Sequence, residues 1–98
     1  MEPLYYESHV TIEPVFDEKL ERFVSLCTSR GFRVAKLLMQ KGVANDKDSF
    51  CTGQSKDIDE LRHRMILLVD SLLDNEFTIY RYMIEAVVLD VRLKVRYS

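Results

Sequence analysis

The 98-residue chain lacks the compositional marks of the simpler non-globular protein classes. Three Gly and two Pro are too few for a collagen-like chain or a disordered linker. Two Cys are too few for a disulfide framework, and both Cys27 and Cys51 lie in apolar stretches, where free thiols are usually buried. No apolar run approaches the roughly 20 residues of a membrane span. We therefore expect residues 1–98 to form a single globular domain.

The chain also lacks a surplus of basic charge. Fourteen Lys and Arg residues against sixteen Asp and Glu residues give a net charge of −2. A protein that coats DNA or RNA needs excess positive charge to replace counterions, so this balance excludes that function. The first residues carry neither the basic start nor the apolar run of a secretory signal. Together with the free thiols, these features predict a cytoplasmic protein with no membrane partner.

The hydrophobic pattern of the first half of the chain predicts three strands and a helix. From Leu4 to Glu13 apolar and polar residues alternate, which is the period of a strand with one buried face, and Pro14 ends it. From Asp17 to Thr28 the apolar residues recur at helical spacing, with acidic residues in the first turn. The pattern then predicts a strand over 32–40, a polar turn over 41–47 and a short strand over 48–53.

The second half of the chain predicts a helix followed by a long strand. Asp57 with Glu60 three residues later makes a capping box, and an apolar stripe runs from Ile58 to Leu72. Residues 77–89 are rich in Tyr, Ile and Val, which favours a strand. The tail over 90–96 alternates again, so it either extends that strand or forms a fifth strand at a sheet edge.

The resulting order is strand, helix, strand, strand, helix, strand. This order predicts an α+β, ferredoxin-like βαββαβ fold, with an antiparallel sheet that carries both helices on one face. The first and third strands are expected at the centre, with the fourth beside the first. The other sheet face is left open, and we expect function there, because the fold alone implies none.

The open face of the first strand carries a motif. Glu7, His9 and Thr11 point to this side, and an imidazole and a hydroxyl two residues apart can reach one phosphate together. The string Ser8-His9-Val10-Thr11-Ile12 resembles the H-x-T-hydrophobic motif of the two-histidine (2H) phosphoesterases. That family acts on cyclic phosphates and RNA ends, and it is built from two lobes that each supply one H-x-T.

The resemblance implies that His9 and Thr11 are catalytic, but the chain has one such motif and the length of one lobe. The third strand keeps Thr52 and has no His beside it. A two-histidine site therefore requires a homodimer that brings together two copies of His9 and Thr11. The alternative is a solvated strand face in which His9 pairs with Glu7 or with a charge on a neighbouring strand.

Two further charged residues are predicted on the open face. Arg81 and Glu85 flank Met83 on the last strand, and an Arg there suits a phosphate or carboxylate ligand. The alternative is a cross-strand salt bridge between Arg81 and Glu7. The segment 52–55 is predicted to join the third strand to the second helix, either as an anion-binding turn or simply as a capping turn.

Metal and cofactor signatures are absent from the sequence. The two Cys and two His lack metal-ligand spacing, and neither a Walker nor a dinucleotide-binding pattern is present. Cys27 on a buried helix face is a poor nucleophile, and His63 in the second helix is expected to be solvated. We therefore predict no metal site and no cofactor.

Three functions remain open. The first is a non-catalytic homodimer that binds a protein partner or a small anionic or nucleotide ligand through its open face. The second is a one-lobe phosphoesterase that works as a dimer, and the third is an inhibitor that sequesters a nucleotide without cleaving it. The candidate catalytic residues are His9 and Thr11, and the candidate ligand-binding residues are Glu7, Thr52, Arg81 and Glu85.

Overall fold

A computed structural model describes residues 2–34, 49–88 and 94–97. The predicted strand residues 35–40 and the turn over 41–47 lie outside the described residues. None of the helices in the described part of the chain is long and apolar enough to cross a membrane. The elements in chain order are β1 (Tyr5–Ile12), α1 (Asp17–Ser29), β2 (Arg33–Val34), β3 (Ser49–Ser55), α2 (Ile58–Asp74), β4 (Ile79–Val87) and β5 (Lys94–Tyr97).

The strands form one antiparallel sheet in the order β2-β3-β1-β4-β5. β1 and β3 are neighbours at the centre of the ferredoxin-like part, and β4 lies on the other side of β1. This confirms the predicted fold class. β5 pairs with β4 at the edge of the sheet, so residues 94–97 form a fifth strand beside the fourth.

The hydrophobic core lies between the sheet and the two helices. The period of two in β1 turns Val10 and Ile12 towards the helices, and both are fully buried. Burying side chains of this size contributes roughly 1.5–3 kcal/mol each. On β4, Ile84 and Ala86 are also buried. The helices contribute Phe23, Cys27, Leu61, Met65, Leu68, Val69 and Leu72 to the core.

The start of α2 is capped as the sequence predicts, but only half of the capping box forms. The Asp57 carboxylate accepts hydrogen bonds from the backbone N–H groups of Asp59 and Glu60. The Asp57 N–H donates to the hydroxyl of Ser55, while the Glu60 carboxylate accepts from Arg64. Arg64 also lowers the pKa of the Glu60 carboxyl, chiefly through this hydrogen bond.

The guanidinium of Arg64 joins three elements. It donates to the carbonyl oxygens of Arg30 and Gly31 at the end of α1, and to that of Gln54 in β3. α1 has no basic residue in its last turn, so Arg64 supplies from α2 the cation that a helix C-terminus favours. It thereby holds Gln54, which lies next to the candidate site.

The prediction for residues 52–55 is wrong. These residues do not turn from strand to helix, because β3 continues to Ser55. Gly53 and Gln54 pair with Ser8 and Glu7 of β1, so the central sheet extends further than the apolar pattern indicated. The proposed anion-binding turn is therefore replaced by a strand segment whose side chains face the two sides of the sheet.

Candidate functional site on the open sheet face

The sheet register brings the predicted site residues together on the open face, which is the face that the helices do not cover. His9 lies opposite Thr52 of β3, and Glu7 lies opposite Glu85 of β4. Directly opposed residues on neighbouring strands project to the same side, so these four side chains are adjacent. Gln54 lies opposite Glu7 on β3 and completes the group. We call Glu7, His9, Thr52, Gln54 and Glu85 the open-face cluster.

Both ring nitrogens of His9 are occupied. Nε2 lies 3.0 Å from Glu7 Oε1, and Nδ1 lies 3.1 Å from Thr52 Oγ1. A carboxylate only accepts, so Nε2 carries a proton and donates to Glu7; Nδ1 accepts from the Thr52 hydroxyl when the ring is neutral. This confirms the alternative in which His9 pairs with Glu7. A ligand that bonds to His9 has to displace Glu7 or Thr52.

Gln54 holds the other oxygen of Glu7. The side-chain amide of Gln54 donates to Glu7 Oε2 over 3.0 Å, while the backbone carbonyl oxygen of Gln54 accepts from Arg64. Thr52, His9, Glu7 and Gln54 therefore form a hydrogen-bonded chain across β1 and β3. The sequence did not indicate a role for Gln54, because its segment was assigned to a turn.

The centre of this face is not solvated. Glu7 is 8% exposed, Glu85 is 9% exposed and Thr11 is 5% exposed. The expectation of a solvated strand face is therefore wrong at these positions. The ligand atoms of Glu7 and Glu85 lie within 4.8 Å of each other, so two ionised carboxylates here would repel one another without compensation. Carboxylates are buried in this way only when other groups compensate their charge.

A set of potential metal ligands is present within the cluster. Glu7, His9 and Glu85 each offer one ligand atom, and these three atoms lie within 4.8 Å of one another. The sequence analysis placed all three residues on the open face but predicted no metal site there. Neither the spacing of His and Cys nor any local motif indicates the group, since it forms through the register of β1 and β4.

Two exposed guanidinium groups lie on this sheet face beside the cluster, among the side chains that the structure describes. Arg81 is exposed and opposite Thr11 on β4, and among the described residues it makes no ion pair. The ion pair seen for Glu7 is to His9, not the predicted one to Arg81. Arg33 of β2 lies opposite Thr52 and is also exposed, which adds a second guanidinium that the sequence did not indicate.

The other candidate groups lie outside this cluster. Cys27 is fully buried. The pKa of its thiol is raised far above the usual range, chiefly by a hydrogen bond with Cys51 and secondly by burial. A buried thiol with a raised pKa is a poor nucleophile, in agreement with the expectation from the sequence. His63 on α2 is exposed, also as predicted.

No protein-family model matches the chain, and no curated protein matches it. Function is therefore inferred from the geometry of the open face.

Proposed function

We propose that the chain is a non-catalytic binding protein whose open face holds a small anionic ligand of the nucleotide type. The observation that carries the proposal is the hydrogen-bonded chain from Thr52 through His9 and Glu7 to Gln54, with exposed Arg81 on the same face. Carboxylate oxygens accept hydrogen bonds from sugar hydroxyls and base amino groups. A guanidinium binds the phosphate of the same ligand.

The absence of catalysis is part of the proposal. His9 uses both ring nitrogens, and Glu7 uses both carboxylate oxygens, in contacts within the chain. A general base needs a nitrogen within hydrogen-bond reach of the proton that it takes. The existing contacts favour a rigid recognition surface, since side chains held in this way lose little entropy when a ligand binds.

We also propose that the protein is a cytoplasmic homodimer. The thiols of Cys27 and Cys51 are free, as is usual in a reducing compartment. A 98-residue domain buries a limited core, and Tyr80 and Tyr82 are each 53% exposed on β4. Light scattering tests the dimer: the chain mass is 11.5 kDa, and a solution mass of one chain would refute it.

The binding proposal is tested by calorimetric titration with mono-, di- and cyclic nucleotides. We expect the Arg81→Gln variant to bind at least about tenfold more weakly, since it loses a charge-assisted contact. Arg62→Gln is the matched control, because Arg62 pairs with Asp59 on α2, away from the open face. Binding that is undetectable at millimolar nucleotide, or equal in both variants, would reject the proposal.

A second candidate function is phosphoester hydrolysis by a dimer, as the resemblance to the 2H family implies. One observation favours it: Glu7 orients His9 as a carboxylate orients the base of a catalytic triad. The test is hydrolysis of 2′,3′-cyclic nucleotides by the wild type, His9→Ala and Thr11→Val, with His63→Ala as control. Activity that His9→Ala retains, or that the wild type lacks, would reject this function. Binding without hydrolysis also fits a nucleotide-sequestering inhibitor.

A further inference from the structure

We propose that the open face contains a binding site for one divalent transition-metal ion, Zn²⁺ in particular, with Glu7, His9 and Glu85 as its ligands. The site is defined by geometry and does not depend on the proposed nucleotide. If the metal site and the nucleotide-binding function are both correct, the bound ion supplies a positive charge that attracts an anionic ligand to a face with buried carboxylates.

The first argument is the donor set. One imidazole nitrogen and two carboxylate oxygens suit Zn²⁺, whereas Mg²⁺ and Ca²⁺ prefer oxygen ligands alone. The three ligand atoms lie within 4.8 Å of one another, and those of His9 and Glu7 are already 3.0 Å apart. Tetrahedral zinc with bonds of about 2.1 Å separates its ligands by roughly 3.4 Å. The largest distance between two of the ligand atoms therefore has to shorten by at most about 1.4 Å to match tetrahedral zinc.

The second argument is the set of contacts behind the ligands. The Nδ1 atom of His9 faces the Thr52 hydroxyl, and Glu7 Oε2 accepts from Gln54, so Nε2 and Oε1 are directed towards each other. When Nε2 binds the ion, the ring proton is on Nδ1 and donates to Thr52. Outer contacts of this kind fix the tautomer and orientation of metal-bound His residues.

The third argument is burial and charge. Glu7 and Glu85 are directly opposed across β1 and β4, and each is at least nine-tenths buried. Buried charges in proteins are paired or coordinate metals, and a divalent cation held by both carboxylates would balance their charge within this face. Three protein ligands leave a coordination position open, as in zinc sites that bind a substrate or other exogenous ligand.

The test is titration of the metal-free full chain with Zn²⁺ alone, in competition with a chromophoric chelator. We expect one ion per chain and a loss of at least about tenfold in affinity for Glu85→Gln. Thr52→Val keeps all three ligands but removes an outer contact, so it is expected to weaken binding by about 10–100-fold. His63→Ala is the control and is expected to bind as the wild type does.

Absorption spectroscopy at the zinc edge separates this site from binding to thiols. The proposal requires one imidazole ligand with oxygen ligands and no sulfur, in a protein whose circular dichroism remains native. Sulfur ligation, no binding at up to millimolar Zn²⁺, or equal affinity in wild type, Glu85→Gln and Thr52→Val would overturn it. Because nucleotide is absent here, failure of the metal site is distinguishable from failure of the nucleotide proposal.

Discussion

The ring of Phe32 occupies the space where Gly53 would carry a side chain. A Cβ built on Gly53 would lie 2.9 Å from two carbon atoms of that ring, closer than a side chain tolerates. Phe32 is 1% exposed, and the guanidinium of Arg64 lies over its ring, 5.7 Å from the centroid. Since Gly53 stands between Thr52 and Gln54, this close contact on the helix side helps to fix the positions of both open-face residues.

We predict that Gly53→Ala lowers the free energy of unfolding by about 1–3 kcal/mol, because the added methyl group overpacks the contact with Phe32. Urea denaturation measures the loss. In a Phe32→Leu background the smaller side chain makes room, so the same substitution is expected to cost less, with a coupling of at least about 0.5 kcal/mol. An equal cost in both backgrounds would show that Phe32 is not the cause.

Arg64→Ala is predicted to cost about 1.5–3 kcal/mol of stability. The change removes charge-assisted hydrogen bonds to the end of α1 and to Gln54, and it uncovers the ring of Phe32. Arg62→Ala is the matched control, because Arg62 makes an exposed i,i+3 pair with Asp59 worth less than about 0.5 kcal/mol. Thermal unfolding of both variants compares them. Equal losses would mean that Arg64 contributes no more than a surface charge.

Ser8 and Ser49 are both buried, but their hydroxyls differ. Among the described residues, Ser8 Oγ has no hydrogen-bond partner, whereas Ser49 Oγ accepts from the N–H of Val15 over 3.2 Å. A buried polar group without a partner costs free energy, so we predict that Ser8→Ala stabilises the protein by about 1 kcal/mol. Ser49→Ala is expected to destabilise it by a similar amount. Chemical denaturation decides the sign, and destabilisation by Ser8→Ala would contradict the assignment.

The faces of β1 could be predicted from sequence because a strand alternates sides at every residue, whatever its partners are. This places Ser8, Val10 and Ile12 towards the helices and Glu7 and His9 on the open face. The grouping of Glu7 with Glu85 could not be predicted in the same way. It depends on cross-strand register, which includes a shift between Thr11 and Ile12 in the pairing of β1 with β4.

Gln54 and Arg64 show a second limit of sequence reasoning. Gly53 is typical of turns, so the pattern ended the third strand there, and only pairing with β1 shows that the strand continues. Arg64 lies off the apolar stripe of α2 and looks like a solvated side chain. Its role depends on the end of α1 lying beside it, which local sequence does not encode.

The Cys27 thiol predicts how stability changes at alkaline pH. Its pKa is raised above the ordinary value of 9.0 in the folded protein by the hydrogen bond with Cys51 and by burial. As the pH rises through that ordinary value, the unfolded chain loses the thiol proton while the folded chain keeps it. The unfolded state is thereby favoured, and stability falls by up to about 1.4 kcal/mol per pH unit for this group.

We therefore predict a steeper loss of stability between pH 9 and pH 10 in the wild type than in Cys27→Ala. The comparison is of slopes, since the Ala variant is also destabilised at neutral pH by the cavity that it leaves. All other side chains are the same in both proteins, so their contributions cancel in the difference. Equal slopes would contradict a raised pKa for Cys27. Thiol labelling gives an independent measure: because the neutral buried thiol is unreactive, iodoacetamide should modify Cys27 only at the rate at which the chain unfolds.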